Sequence, residues 1–457
     1  MNKTSFINQL FGFIATPFGI IAIAIGILLL IKAQQDRPTG WLLFSICCFA
    51  SSLDTFRSKW YPTPPLVFPL QQLRSFGRPL ALVVLFLLIV AALQTRNNWR
   101  QWLLPPSIKW LMAVQLAIFA KTLLYGSQEF AWLAALTFGG VIFALRMGPG
   151  RWLQDDENFH LAVRSIAIAG AIFIVLNVYQ FVLNRSAVTF VGSRFLGTTG
   201  NPQTAGLLLA SIVPCLMFSI QRARAWSAAK YWWVSILLVT LYFLLLTGSR
   251  TGFLMTAVSL LLFYRNNGGA WIRVGLGLAV LAALIGTFLQ PDTLASSAGI
   301  DSTLSDRFTS TSNSRESVWN GMLEGFLNNI IFGSPLEGGR LGYGENTWLA
   351  VASNLGLIGL IPMLMVGWES LKLMWQLNQL SSRDAYYFFP SSVVIAGLGS
   401  ILTGACLEAS LVGNITFSVL AFLAYLIMGA YLLEVDRVRT YYAMNEAQSV
   451  DRGGIYQ

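Results

Sequence analysis

Long apolar runs separated by short polar segments make up most of the chain. A helix needs about 20 apolar residues to cross a bilayer, and fewer where neighbouring helices cover its ends. About thirteen runs meet this requirement, so the pattern predicts an all-α polytopic membrane protein with about 12–14 transmembrane helices. The predicted spans are 10–31, 40–53, 79–93, 110–124, 130–145, 161–182, 204–220, 231–247, 251–264, 271–289, 346–375, 388–406 and 411–433.

The composition agrees with this pattern. The 457 residues are 55% hydrophobic and 11% charged, whereas an ordinary soluble domain has about 25% charged residues. The mean hydropathy is +0.62. Together these values exclude a soluble enzyme, a disordered chain and a disulfide-rich scaffold.

The basic residues assign the polar segments to two sides of the membrane. Lys and Arg collect in cytoplasmic loops, which explains the net charge of +10 without nucleic-acid binding. Basic residues crowd segments 222–230, 265–273, 372–383 and 437–439, so we predict that these are cytoplasmic. Segments 184–203, 248–250 and 290–345 then lie outside. The predicted organisation is a membrane domain, 1–433, followed by a cytoplasmic tail, 434–457.

The large outer loop, 290–345, contains a predicted amphipathic helix. Asn313 is a plausible N-cap with Glu316 three residues later, close to a capping box. Gly333 and Pro335 end the helix. Its apolar residues share one face, which predicts that it lies along the membrane surface or docks on the spans; they are Val318, Trp319, Met322, Leu323, Phe326, Leu327 and Ile330.

Few charged residues lie within the predicted spans. Lys121, Arg164 and Glu408 are near span ends, where long side chains reach toward the interface. Ion-coupled transporters usually keep ionisable residues at the membrane midplane. The scarcity of such residues therefore argues against transport.

Arginines on the predicted outer side run against the positive-inside bias and need a partner. Local carboxylates would pair with them in a purely structural role, whereas an anionic ligand such as phosphate would suit their planar, permanently charged forks. Arg315 is the most informative, because a cation in the first helical turn opposes the helix dipole unless an anion binds there. The outer arginines are Arg194, Arg250, Arg307, Arg315 and Arg340.

Glu345 lies where the outer loop enters the span that begins at Asn346. A carboxylate at this junction either stabilises the helix N-terminus or acts as a general base facing the outer leaflet. Tyr343, Gly344 and Asn346 complete the junction. Both interpretations of Glu345 stay open at this point.

These segments resemble the O-antigen ligase/O-antigen polymerase superfamily of bacterial membrane glycosyltransferases. The likeness covers about residues 194–362. Segment 197–203 resembles the family's Gly-Thr-x-Gly-Asn-Pro-Asn stretch, segment 250–254 its Arg-x-x-x-Leu turn, and Arg315 with Trp319 its arginine-plus-tryptophan element in the large periplasmic loop. The family's His-Asn-x9-Gly-x-x-Gly junction is resembled by Glu345 and Asn346, which are followed after nine residues by segment 356–359. The chain departs from the ligases at Glu345, where they carry a histidine.

The resemblance implies a GT-C-type fold in the bacterial cytoplasmic (inner) membrane, with the active site facing the periplasm. It implies an undecaprenyl-pyrophosphate-linked oligosaccharide donor, a glycan acceptor, and neither cofactor nor metal. We expect Glu345, Arg250 and Arg315 to be catalytic. The expected substrate-binding residues are Arg194, Asn201, Arg307, Arg340, Tyr343, Asn346 and Trp319.

The sequence leaves several functions open. We favour a polymerase whose acceptor is a second lipid-linked repeat unit, because the superfamily's polymerases vary more than its ligases; membrane lipids and a chain-length regulator would be its further partners. The alternative is a ligase that transfers glycan to lipid A-core or another acceptor. A lipid-linked glycan transporter would show midplane polar residues and a symmetry-related second half, and we find neither in the sequence. A non-catalytic glycan-binding membrane protein also remains.

Overall fold

The computed structural model describes residues 17–53, 65–94, 103–189, 194–265, 315–336, 344–413 and 415–453. The described elements are helical. The α-helices are α1 (Pro17–Gln35), α2 (Arg37–Ala50), α3 (Leu70–Gln94), α4 (Pro106–Tyr125), α5 (Gln128–Met147), α6 (Pro149–Trp152), α7 (Asp156–Leu183), α8 (Pro202–Arg222), α9 (Ala228–Thr247), α10 (Arg250–Phe263), α11 (Glu316–Asn328), α12 (Thr347–Arg383), α13 (Phe388–Leu407) and α14 (Phe417–Gly453).

Eight of the described helices are long and apolar enough to cross a membrane: α4, α5, α7, α8, α9, α12, α13 and α14. Shorter apolar helices lie in α1, α3 and α10. The predicted span 271–289 lies outside the described residues. The prediction of an all-helical, polytopic membrane protein is thus confirmed, while the total of 12–14 spans stays a prediction.

The centre of the bundle is formed by α8, α13 and α14. In their most apolar stretches, 83%, 72% and 78% of the residues are buried. In the corresponding stretches of α4 and α9, only 33% of the residues are buried. Helices that bury all their faces need no polar stripe. The outer helices keep one apolar face exposed, as helices that contact lipid do.

Side-chain contacts between helix ends define two ends of the bundle. At the upper end, Thr347 Oγ1 at the start of α12 donates to the carbonyl of Glu408 after α13, at 2.8 Å. At the lower end, Arg265 after α10 donates to Asn378 of α12 and Ser392 of α13. The starts of α10 and α12 and the end of α13 therefore meet at the upper end.

The last two predicted boundaries differ from the structure. The helix predicted at 411 begins at Phe417, because residues 408–413 are irregular and carry the contacts of Glu408 described below. At its other end α14 continues through Glu434 to Gly453 without a break. The predicted tail therefore continues the last helix.

The amphipathic helix is observed as α11, beginning at Glu316 and preceded by Arg315. Its predicted N-cap, Asn313, lies outside the described residues. The helix ends at Asn328, before the predicted stop signals, and a short turn leads to Gly333. It packs against α12, as one of the two predicted arrangements requires.

Candidate active site at the upper end

One arginine joins three helix ends at the upper end of the bundle. Arg315, the residue before α11, forms ion pairs with Glu345, at 3.1 Å from its Nε, and with Glu408. Its guanidinium also donates to the Leu407 carbonyl at 2.8 Å and to Thr251 Oγ1 at 3.3 Å. Thr251 in turn donates to Glu408 at 3.3 Å. We call Arg315, Glu345, Glu408 and Thr251 the arginine–carboxylate cluster.

A tight turn between α9 and α10 brings Thr251 to this cluster. Gly248 has φ 57° and ψ 28°, a left-handed conformation that a glycine adopts without strain. Ser249 then caps α10 by accepting from the Gly252 amide at 3.2 Å. Because the new helix starts at once, Arg250 and Thr251 both fall in its first turn, with Arg250 exposed and Thr251 buried.

The start of α12 is joined to the end of α13 by side-chain hydrogen bonds. Asn346 caps α12, accepting from the amides of Trp348 and Leu349 at 2.9 and 3.1 Å. Its amide nitrogen donates to the Cys406 carbonyl at 2.7 Å. With the Thr347 contact described above, these bonds hold Glu345 and Glu408 on either side of Arg315.

The two carboxylates have different environments. The side chain of Glu345 is 33% exposed and that of Glu408 is 10% exposed. Burial raises the pKa of Glu408 from its usual 4.5 to about 7; Arg315 lowers it and Glu345 raises it further, but burial is the largest cause. Glu345 Oε2 faces Arg315 as an ion pair whose geometry is not that of a hydrogen bond.

A break in α12 sets the depth of the cluster. Gly356 has φ 62° and ψ −153° within the helix. A Cβ built on Gly367 would lie 2.8 Å from the Trp348 ring, whereas a straight helix would separate these residues by about 28 Å. Segment 347–355 therefore folds back along the rest of α12. The arginine–carboxylate cluster consequently lies below Gly356, recessed from the top of α12.

The segment before α8 packs beside the same turn. Arg194 is 9% exposed, and its Nε donates to the Thr247 carbonyl at 2.8 Å, at the end of α9. A cation at this position complements the helix dipole. Asn201 is exposed and caps α8 by accepting from the Gln203 amide at 2.8 Å. Both residues therefore have structural contacts at the upper end.

The structure brings together several of the predicted site residues. Arg315 and Glu345 are in contact, while Arg250 and Asn346 are chain neighbours of cluster residues. Trp319 lies one turn along α11 from Arg315, whose carbonyl accepts from its amide at 2.8 Å. Arg307, Arg340 and Tyr343 lie outside the described residues.

Of the two partners expected for Arg315, the structure contains the carboxylates. An external anion or local carboxylates could balance a cation at a helix start. In the structure the protein itself supplies two carboxylates there, one before α12 and one after α13. A guanidinium with five N–H donors can serve both.

Sequence reasoning missed Glu408. Its position near a span end predicts a side chain that reaches toward the interface, but the residue is only 8% exposed and held by Arg315. One signal was present: Glu408 is the single charged residue between positions 388 and 433. An isolated carboxylate between two apolar spans marks a functional or paired position. Lys121, likewise placed near a span end, donates to three backbone carbonyls.

No protein-family model and no curated protein matches the chain. Support for a function therefore comes from the residues of the site.

Proposed function

We propose that the chain is a membrane glycosyltransferase that takes its glycan from an undecaprenyl-pyrophosphate carrier, as a repeat-unit polymerase. The observation that carries the proposal is the arginine–carboxylate cluster. Arg315 and Glu345, which belong to two of the blocks that resemble the superfamily, are in direct contact there, and Arg250 of a third block precedes Thr251. A site for this reaction needs a cation for the pyrophosphate and a base for the acceptor hydroxyl, and a carboxylate can be that base.

Arg250 is the residue that we assign to the pyrophosphate. It is exposed in the first turn of α10, where the helix N-terminus favours anions. Arg315 already contacts two carboxylates, so its role is to hold them in place. As the bond to the leaving pyrophosphate breaks, a cation at Arg250 stabilises the charge that develops on the departing oxygen.

Glu345 is the proposed proton acceptor. The acceptor hydroxyl oxygen attacks the anomeric carbon, its proton passes to the Glu345 carboxylate, and the carbon–oxygen bond to the lipid pyrophosphate breaks with its electron pair on the leaving oxygen. The side chain of Glu345 is 33% exposed, against 10% for Glu408. Glu345 is therefore the carboxylate that an acceptor can reach, and Glu408 is a positioning residue that acts through Arg315.

The charge distribution supports an outward-facing site. The lower end of the described bundle carries most of the basic residues, as the positive-inside rule requires of a cytoplasmic face; they include Arg37, Arg146, Arg151, Arg222, Arg224, Lys230, Arg265, Arg383, Arg437 and Arg439. We therefore propose that the upper end faces the periplasm of a bacterial inner membrane.

Reconstitution tests the proposal. The purified protein is placed in lipid vesicles with an undecaprenyl-pyrophosphate-linked repeat unit alone, and products are separated by size. A ladder of longer glycans is the expected result. Glu345→Gln should remove the ladder, while Glu434→Gln, which changes an exposed carboxylate paired with Arg437 at the lower end, should leave it unchanged.

Other outcomes distinguish the alternatives. If no glycan product forms until lipid A-core is added, the chain is a ligase. Movement of the lipid-linked unit across the bilayer without a new glycosidic bond would mean a transporter. Binding without a bond or movement would leave a glycan-binding protein. Each of these results contradicts the polymerase proposal.

A further inference from the structure

A short turn that follows α11 exposes three apolar side chains. Residues 329–334 follow α11 and pack on the break in α12. Ile330, Ile331 and Phe332 in this turn are 47%, 58% and 64% exposed. Three consecutive exposed apolar side chains outside a spanning helix are unusual on a water-facing surface.

The carbonyls of the three apolar residues in this turn all accept hydrogen bonds. The carbonyls of Ile330 and Ile331 accept from the amides of Leu357 and Ile358 at 2.8 and 3.4 Å. The carbonyl of Phe332 accepts from Lys121 Nζ at 2.7 Å. In water such carbonyls would find solvent partners, but in hydrocarbon each unpaired group costs several kcal/mol. These three carbonyls therefore have the protein partners that they would need in contact with lipid.

Lys121 donates hydrogen bonds to backbone carbonyls at the turn and at the break in α12. Besides Phe332, its ammonium donates to the carbonyls of Ser334 and Asn354 at 2.7 and 2.6 Å. The break at Gly356 frees the last carbonyls of segment 347–355, and Lys121 satisfies one of them together with two from the turn. All three N–H donors of the ammonium are thus directed to backbone oxygens.

Glycines allow the close approach on which this arrangement depends. A Cβ on Gly356 would collide with the backbone of Ile331. At Gly333, where φ is 72°, a Cβ would lie 2.5 Å from the backbone of Asn354 and Leu355. The turn and the broken helix are consequently packed backbone to backbone.

The turn is continuous with surfaces of two membrane-spanning helices. Next to Lys121 on α4, Leu124 and Tyr125 are 72% and 71% exposed. On α12, beside the bonded amides, Ile358 and Ile361 are 46% and 54% exposed. Both helices are long and apolar enough to cross a membrane. An apolar patch between two such faces contacts what those faces contact.

We propose that the 329–334 turn is inserted into the bilayer beside α4 and α12, and that its partner is the acyl chains of membrane lipids. The inference goes beyond the proposed activity and does not depend on it. The turn is a wedge that does not span the membrane. Because α11 joins it to Arg315, its insertion also fixes the position of the helix that follows Arg315.

Fluorescence quenching in vesicles tests the insertion. Cys406→Ser removes the exposed cysteine and leaves three buried ones. In this background Ile331→Cys carries an environment-sensitive fluorophore, in phosphatidylcholine vesicles with or without doxyl-labelled lipid. Leu364→Cys, at a 53% exposed position on α12, is the lipid-facing reference. Glu324→Cys, on the exposed polar side of α11, is the aqueous reference.

We expect the Ile331 probe to be quenched by doxyl lipid as the Leu364 probe is, and to resist aqueous iodide. Phe332→Cys provides a second position if Ile331→Cys does not fold, as judged by gel filtration and thermal unfolding. Quenching by iodide to the level of the Glu324 probe would overturn the proposal. Protection from both quenchers would also overturn it, since the turn would then be covered by protein.

Discussion

Two arginines join the same three helices at opposite ends of the bundle. At the upper end, Arg315 contacts residues of α10, the start of α12 and the end of α13. At the lower end, Arg265 contacts α12 and α13 just after the end of α10. Its acceptors are Asn378 Oδ1 at 2.7 Å, Ser392 Oγ at 3.1 Å, Ser381 Oγ at 2.9 Å and the Leu262 carbonyl at 3.1 Å.

The two arginines differ in the chemistry of their acceptors. Those of Arg265 are neutral, so its contacts do not change with pH near neutrality. Those of Arg315 include two carboxylates, one of which has its pKa raised by burial to about 7. At the lower end, the contacts of Arg265 thus stabilise the helix bundle. At the upper end, the similar contacts of Arg315 hold carboxyl groups that can gain or lose a proton. This contrast favours the upper end as the site of chemistry.

The largest expected effect is at Glu345. Glu345→Gln keeps the shape of the side chain and removes the base, so the polymerisation rate should fall by about 100- to 10,000-fold, the usual contribution of a general base. Glu345→His should retain more activity than the glutamine variant, because the resembling ligases carry histidine there. Thermal unfolding should be unchanged in both. A glutamine variant at the wild-type rate would reduce Glu345 to a helix-terminus carboxylate.

Arg250 should come next. Arg250→Ala removes the proposed partner of the pyrophosphate, and loss of one electrostatic stabiliser costs about 3–4 kcal/mol of transition-state stabilisation. Lysine at this position should restore activity only in part, since the bidentate fork is lost. Single-turnover rates of the two variants measure this. Full activity of the alanine variant would contradict the role of Arg250 and would make Arg315 the candidate for binding the pyrophosphate.

Lysine substitutions of Arg315 and Arg265 test whether the two arginines have different roles. A lysine has three N–H donors, too few for the four acceptors of Arg315, which are Glu345, Glu408, Thr251 and the Leu407 carbonyl. Loss of a hydrogen bond to a charged group costs about 1.5–3 kcal/mol, which corresponds to roughly 10- to 150-fold in rate. Arg265→Lys should lower the unfolding temperature and leave the rate of the folded protein unchanged. Equal rate losses in both variants would mean that both arginines are only structural.

We expect the pH dependence of the reaction rate to reflect the protonation state of Glu408. Below about pH 7 this carboxylate is protonated, so Arg315 then interacts more strongly with Glu345 and weakens it as a base. The wild-type rate should therefore rise about twofold from pH 7 to pH 8, as the remaining half of the groups lose their proton. Glu408→Gln mimics the protonated form and should remove this limb. Persistence of the limb in that variant would assign it to another group.

The smallest expected effect is on stability. The folded-state pKa of Glu408, about 7, is above its usual 4.5. Between these values the folded protein binds more protons than the unfolded chain, so the unfolding free energy falls as pH rises through this window. Thermal unfolding in detergent from pH 5 to pH 8 should show this decrease, and Glu408→Gln should reduce it. An increase with pH would contradict the raised pKa.

Apolar runs predicted the positions of most described helices and placed the starts of α10 and α12 within one residue. Apolar runs located the described spans because a bilayer demands about 20 apolar residues of any helix that crosses it. Asn201, Ser249 and Asn346 cap their helices through bonds to amides two or three residues away. Such contacts depend on neighbours in the chain, so they are visible in the sequence. The boundary at 411 was wrong because long-range contacts hold residues 408–413 outside the helix.

The sequence by itself determined the polytopic membrane class and most of the described spans. Only the tertiary structure decided which charges meet. Glu408 lies 93 positions from Arg315, and Asn354 lies 233 positions from Lys121. No local pattern links residues so far apart, because the pairing depends on how the helices pack and where α12 breaks. Burial, which raises the pKa of Glu408, is likewise a property of the assembled bundle.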